Sequence, residues 1–136
     1  MNEQSTVDFI NKNYGTMLVL KGDKFSSYDA EDDNYIVEIK NRRSYYSTKI
    51  IEANKLFSNY QKSQIKGKIF LYIVTDDEGV YVFNINSNID AIVKSELNKT
   101  NCPINTDFGN KRKIIKYAYN LLESISTKIK YNDNNE

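Results

Sequence analysis

Ile69-Phe70-Leu71-Tyr72-Ile73-Val74 is an uninterrupted apolar run between Lys68 and Thr75. Side chains alternate across a strand, so such a run is apolar on both faces at once. It predicts a central strand, covered on both sides. Residues elsewhere in the chain can supply the covers. Val7, Ile10 and Tyr14 recur at helical spacing over residues 3–13, and Gly15 closes that helix. Ile50, Ala53, Leu56, Phe57 and Tyr60 form an apolar stripe that predicts a helix over 47–64, with Gly67 ending the region.

Strands are predicted at 17–20, short and buried, and at 25–30, 35–41 and 80–85. The polar segment Glu31-Asp32-Asp33-Asn34 turns the second into the third. Asp76-Asp77-Glu78-Gly79 turns the central strand into its successor. Residues 88–98 read as a short helix or an irregular segment. Ile114, Ile115, Ala118, Leu121, Leu122 and Ile125 suggest a C-terminal helix, with a strand as the alternative near 113–119. The order predicts an α/β fold, a central mixed β-sheet flanked by helices. No repeat or linker interrupts it. Residues 1–130 therefore read as one domain, followed by a polar tail over 131–136.

Composition narrows the chemistry. The 136 residues contain no histidine and a single cysteine, Cys102. That excludes a His/Cys zinc site, a Ser-His-Asp or Cys-His apparatus and an internal disulfide. Carboxylates, lysines and hydroxyls remain, and they favour an oxygen-ligated hard cation if a metal takes part. Net charge is +1, so a nucleic-acid surface requires local clustering. Lys40-Asn41-Arg42-Arg43, residues 62–68, and Lys111-Arg112-Lys113 with Lys116 are such clusters, although each alone is an ordinary solvated face. No apolar run has transmembrane length and no signal peptide is visible, so a soluble, cytoplasmic protein without membrane partners is expected. Abundant Asn, Lys, Ile and Tyr suggest an AT-rich genome, such as that of a virus or phage.

The hairpin holds the one convincing constellation. Glu38 and Lys40 share a strand face, about 7 Å apart at the usual rise. Eight residues lie between Asp29 and Glu38. A turn at 31–34 sets Asp29 within a residue or two of the cross-strand position. Two adjacent carboxylates repel unless a cation or proton lies between them. Asp29 and Glu38 are thus candidate Mg²⁺ (or Mn²⁺) ligands, with the Ile39 carbonyl as a further one. Lys40 is placed to orient or deprotonate water, or to stabilise charge on phosphorus. Against this, Glu-x-Lys on an exposed strand face is common, because alternating charges keep sheets soluble.

With its context, the motif resembles the PD-(D/E)xK nuclease superfamily, which includes restriction endonucleases, Holliday-junction resolvases and phage exonucleases. The family pattern is an acid, then a spacer, then acid-x-Lys, matched here by Asp29, Glu38 and Lys40. The resemblance covers about residues 3–85 and implies a restriction-endonuclease-like core, α-β-β-β-α-β. Tyr28 stands where the family has Pro, and the spacer is short. Asp23 is the second choice for the first acid. Many members add an acid from the first helix. Glu3 matches by helical face, and Asp8 is the alternative, although Ser5-Thr6-Val7-Asp8 also looks like a capping box that would leave Glu3 outside the helix. Segments 37–46, 72–81 and 106–108 look like small phage-encoded members of the superfamily.

The resemblance implies a metal-dependent DNA endonuclease, phage-encoded and acting in recombination, repair or degradation. An inactive nucleic-acid-binding or assembly protein with the same fold is the alternative. A third reading, an unrelated interaction protein, requires Asp29 and Glu38 on opposite sheet faces. Arg42 and Arg43 are candidate contacts to the DNA backbone, with at most one on the catalytic face because neighbours alternate. The family's habit of adding a basic residue from the following helix points to Lys49, whereas Lys55 reads as a solvated charge. Tyr45, Tyr46 and Tyr60 are candidates for base stacking, and Tyr72 and Tyr81 for packing. A homodimer would permit paired cuts.

Overall fold

A computed structural model describes residues 1–23, 25–95, 97–103 and 113–131, without the side chains of 97–103 and 113–116. Helix α1 (Glu3–Tyr14) starts at Asn2, whose side chain accepts from the Ser5 amide while the Ser5 hydroxyl accepts from the Asn2 amide. Ser5 is therefore the third helical residue and not the cap. Glu3 sits in the first turn, where a carboxylate suits the helix dipole. Gly15, at φ 78°, closes the helix in the left-handed conformation.

The main sheet runs β1 (Val19–Leu20), β2 (Ala30–Glu31), β3 (Tyr35–Asn41), β5 (Ile69–Thr75), β6 (Gly79–Asn84) and β9 (Thr127–Lys130) in that spatial order. Only β3 and β5 pair in parallel. As its unbroken apolar run requires, β5 is buried between two strands and two layers. On one face α1 packs Val7 and Ile10 against Val37, Ile39, Leu71, Ile73, Val80 and Val82. The other face joins Ile36, Phe70, Tyr72, Val74, Tyr81 and Phe83 to helices α2 (Ala53–Lys66) and α3 (Ile85–Lys94). A second sheet, ordered β4 (Lys49–Glu52), β8 (Lys113–Leu121), β7 (Leu97–Pro103), adds Ile51, Tyr119 and Leu121 to that core. The α/β mixed sheet flanked by helices is thus present, with a smaller antiparallel sheet beside it. No described helix is long and apolar enough to cross a membrane.

Four expectations need correction. The helix over 47–64 begins only at Ala53, because β-branched Ile50 and Ile51 are taken by strand pairing with Asn120 and Tyr119. The strand over 25–30 shrinks to Ala30–Glu31, because Asp23 draws residues 25 and 26 into a turn through its side chain and carbonyl. The first strand is an edge, with Val19 and Met17 exposed. The C-terminal helix gives way to its stated alternative, a strand near 113–119 that forms as β8, followed by a brief 3-10 turn at Glu123–Ile125 and β9. Strand β7 was not foreseen. The loop at 106–110 and the basic pair Lys111-Arg112 lie outside the described residues.

The turn at 76–79 forms as expected. Asp76 accepts from the Glu78 and Gly79 amides at 2.8 and 3.1 Å. Gly79 has φ 158°, and a Cβ there would lie 2.8 Å from the Ile129 carbonyl oxygen. The glycine lets β9 approach.

Candidate active site

The β2–β3 register pairs Ala30 with Val37 and Glu31 with Ile36. Asp29 directly precedes this pairing, where β2 begins, near enough for its charge to act on Glu38. Two hydrogen bonds hold Asp29 there. Its amide donates to the Val37 carbonyl at 2.7 Å, and its Oδ2 accepts from the Ile39 amide at 2.7 Å. The carboxylate thus takes over a backbone position where the short strand β2 gives out.

Glu38 is in an uncomfortable setting. Its side chain is only 13% exposed, and Oε1 is buried without a hydrogen-bond partner. Burial, then the negative charge of Asp29, push its carboxyl up to about 7, against the pull of Lys55 and Lys40. Lys55, in the first turn of α2, brings its Nζ to 3.7 Å from Glu38 Oε2. Lys40 lies two residues beyond Glu38 on the same face and is exposed.

Glu3 completes the row. Burial, the charge of Asp29 and a hydrogen bond to the Asp29 side chain all raise its carboxyl. Asp29 is therefore the shared neighbour of Glu3 and Glu38. Glu3 and Asp29 line a cleft of about 300 Å³ together with Lys21 and Asp23. Asp23 spends Oδ1 on the Phe25 amide and so serves the turn. Asp8 instead accepts from the Gln4 side chain at 2.9 Å on exposed helix surface.

The basic residues divide. The Arg42 amide donates to Thr75 O at 2.8 Å. Its guanidinium acts on the Tyr72 hydroxyl, which Glu38 and Asp29 also influence, so Arg42 belongs to the Glu38 face. Burial dominates at Tyr72 and raises its hydroxyl. Arg43 is exposed and, together with Arg42, lines a cleft of about 600 Å³ with Asn41 and Asp77. One of the two arginines is on the site face, as alternation demands.

Lys49 is a correction. It begins β4 with its side chain 2% exposed. Its Nζ lies 3.5 Å from Asp76 and 3.3 Å from Glu123, bonds the Tyr46 carbonyl, and sits 4.0 Å from the Tyr81 ring centroid. An ammonium so enclosed is a buried structural cation and does not reach a phosphate. Lys55 takes the place expected of it. Sequence reasoning missed this because the helix start was set too early. A start at Ala53 puts Lys55 in the turn that meets the sheet.

Among the described residues no three acidic or cysteine side chains form a group able to hold a metal by themselves. A Mg²⁺ site needs less than that, one or two carboxylates with waters and phosphate oxygens completing the shell. Asp29 near Glu38, whose Oε1 is orphaned, fits that donor set. No family model, curated protein or solved structure matches the chain.

Proposed function

We propose that the protein is a Mg²⁺-dependent deoxyribonuclease with a PD-(D/E)xK-type site. The observation that carries this reading is the buried, unpartnered Glu38 Oε1 beside Asp29, with two lysines facing the pair. Such an arrangement is costly unless a cation relieves it.

Asp29 and Glu38 would hold Mg²⁺ or Mn²⁺, with the Ile39 carbonyl and Glu3 as further donors. When bound, the cation supplies charge neutralisation at the phosphodiester and a more acidic water. The chain's own residues do the rest. The Ile39 amide fixes the Asp29 carboxylate. Lys40 orients the attacking water or stabilises charge on the phosphoryl oxygens. Lys55 lowers the proton affinity of Glu38 and offers a cation beside the phosphate. Arg42 steadies the DNA backbone along the same face.

A cleavage panel over single-stranded, duplex and branched DNA with Mg²⁺ or Mn²⁺ tests the proposal. Cleavage by the natural chain should disappear in Glu38→Ala and Lys40→Ala, with DNA binding kept by at least one. Absence of cleavage on every substrate sinks it. The second reading is a DNA-binding or assembly protein that does not cut. The Lys55–Glu38 pair favours it, because a lysine already neutralises the acid. Binding with steep salt dependence and no cleavage would select that reading.

A further inference from the structure

A cavity of about 310 Å³ is lined by Arg42, Tyr46, Ser47, Thr48 and Ile50. That is large enough for a small planar ligand. Its position follows from the sheet. Arg42 continues the face of Glu38 and Lys40, ~13 Å along the chain from Glu38 at the usual strand rise. Glu38 lies opposite Tyr72 in the β3–β5 register. The Tyr72 hydroxyl donates to the Ile50 carbonyl at 3.0 Å, which ties the cavity wall to the site strands.

The wall chemistry is mixed in a particular way. Tyr46 is 60% exposed, although its backbone carbonyl is held by the buried Lys49 ammonium. A large ring is thus presented to solvent on an anchored backbone. Ile50 adds an apolar wall. Arg42 is half-buried and makes no ion pair among the described residues. Its guanidinium is therefore available to an acceptor-rich ligand. Ser47 and Thr48 expose their side chains at the rim. A flat π-face, a guanidinium and two exposed hydroxyls suit a nucleobase, which offers a face to stack and polar edges to bond.

We infer that this cavity is a subsite for one unpaired DNA base, on the same DNA strand as a phosphate held ~13 Å away at the acid pair. The inference rests on the nuclease reading and deepens it: the substrate carries single-stranded character near the cut. A base inside a duplex cannot offer its face to Tyr46 without leaving the stack, which costs a few kcal/mol.

The test is binding in EDTA, so that cleavage plays no part. Single-stranded DNA containing 2-aminopurine is compared with the same sequence fully paired. The natural chain should prefer the single strand and change the emission of the analogue. Tyr46→Ala should weaken single-strand binding about five- to hundred-fold, as loss of one stacked base implies, and leave duplex binding unchanged. Tyr46→Phe should behave like the natural chain, because the ring is kept. Tyr46 is a surface side chain, so both variants should fold. Equal affinity for the two DNAs, or an equal loss on both in Tyr46→Ala, overturns the subsite. If the Tyr46-dependent preference holds but no metal supports cleavage, the nuclease reading fails and a base-binding site stands.

Discussion

Lys55 Nζ lies 3.7 Å from Glu38 Oε2, joining the first turn of α2 to the strand that carries the candidate site. The lysine lowers the proton affinity of an acid that burial has raised. Removing it should let that affinity climb. Lys55→Met is expected to move the acidic limb of the cleavage pH–rate profile upward while leaving Lys40 in place. An unmoved limb would show that Lys55 acts elsewhere.

Glu38 itself couples activity to stability. Its folded value of about 7 stands above the ordinary 4.5. The metal-free fold therefore favours the protonated acid. Below about 4.5 both folded and unfolded chains are protonated and nothing is lost. As pH rises from there to about 7 the fold loses stability, and the penalty is complete above that. Glu38→Gln removes this penalty. Urea melts without metal should show the variant about 2 kcal/mol more stable at pH 8, with the gain absent near pH 4. The same variant should not cleave DNA. A loss of stability in Glu38→Gln at pH 8 would contradict this account of the site.

Lys49 should behave as a core residue. Lys49→Ala leaves Asp76 buried without its cation and opens space beside the Tyr81 ring. Losing one partner of a buried pair typically costs 3–5 kcal/mol, so a loss of about 3 kcal/mol is expected in chemical denaturation. DNA affinity per folded molecule should stay within two-fold at low temperature. A selective loss of DNA binding in a fully stable variant would restore Lys49 to the interface.

Glu31 gathers Lys21, Lys66 and Lys68 at 2.7, 3.4 and 3.0 Å. Its hydrogen bond to Lys21 contributes most to holding the carboxyl down at about 2. The stabilisation is fully present above the ordinary 4.5 and disappears as pH falls through the folded value. Glu31→Gln should thus cost about 1 kcal/mol at pH 7, a modest figure because the lysines are partly exposed and solvent screens them. The difference from the natural chain should vanish by about pH 2. A pH-independent difference would mean that lost packing, not charge, is responsible.

The hairpin acids were legible in sequence because their meeting is local. Turn formers at 31–34 and alternation along β3 bring Asp29 to Glu38 without help from distant residues. Glu3 was legible for a similar reason: it lies four residues before Val7, a core position, although Asn2 and not Ser5 supplies the cap. The exchange of Lys49 for Lys55 was not legible. Ile50 and Ile51 satisfy a helical stripe and a strand equally well, and the choice is made by β8, far along the chain. The C-terminal region was legible only as a choice between helix and strand, and pairing of β8 with β4 and β7 decides it.

The pairing of β6 with residues 127–130 bears on how the chain emerges during synthesis. Strands β1, β2, β3, β5 and β6 can associate as soon as residue 84 is available. One edge of β6, whose side chains are mostly buried in the finished fold, then remains open until the segment around Lys128 has been made. During that interval the nascent sheet presents a sticky apolar edge to its neighbours. Ribosome pausing before residue 127 should therefore be a hazard for this protein, one that arises from the order of strands in its sheet.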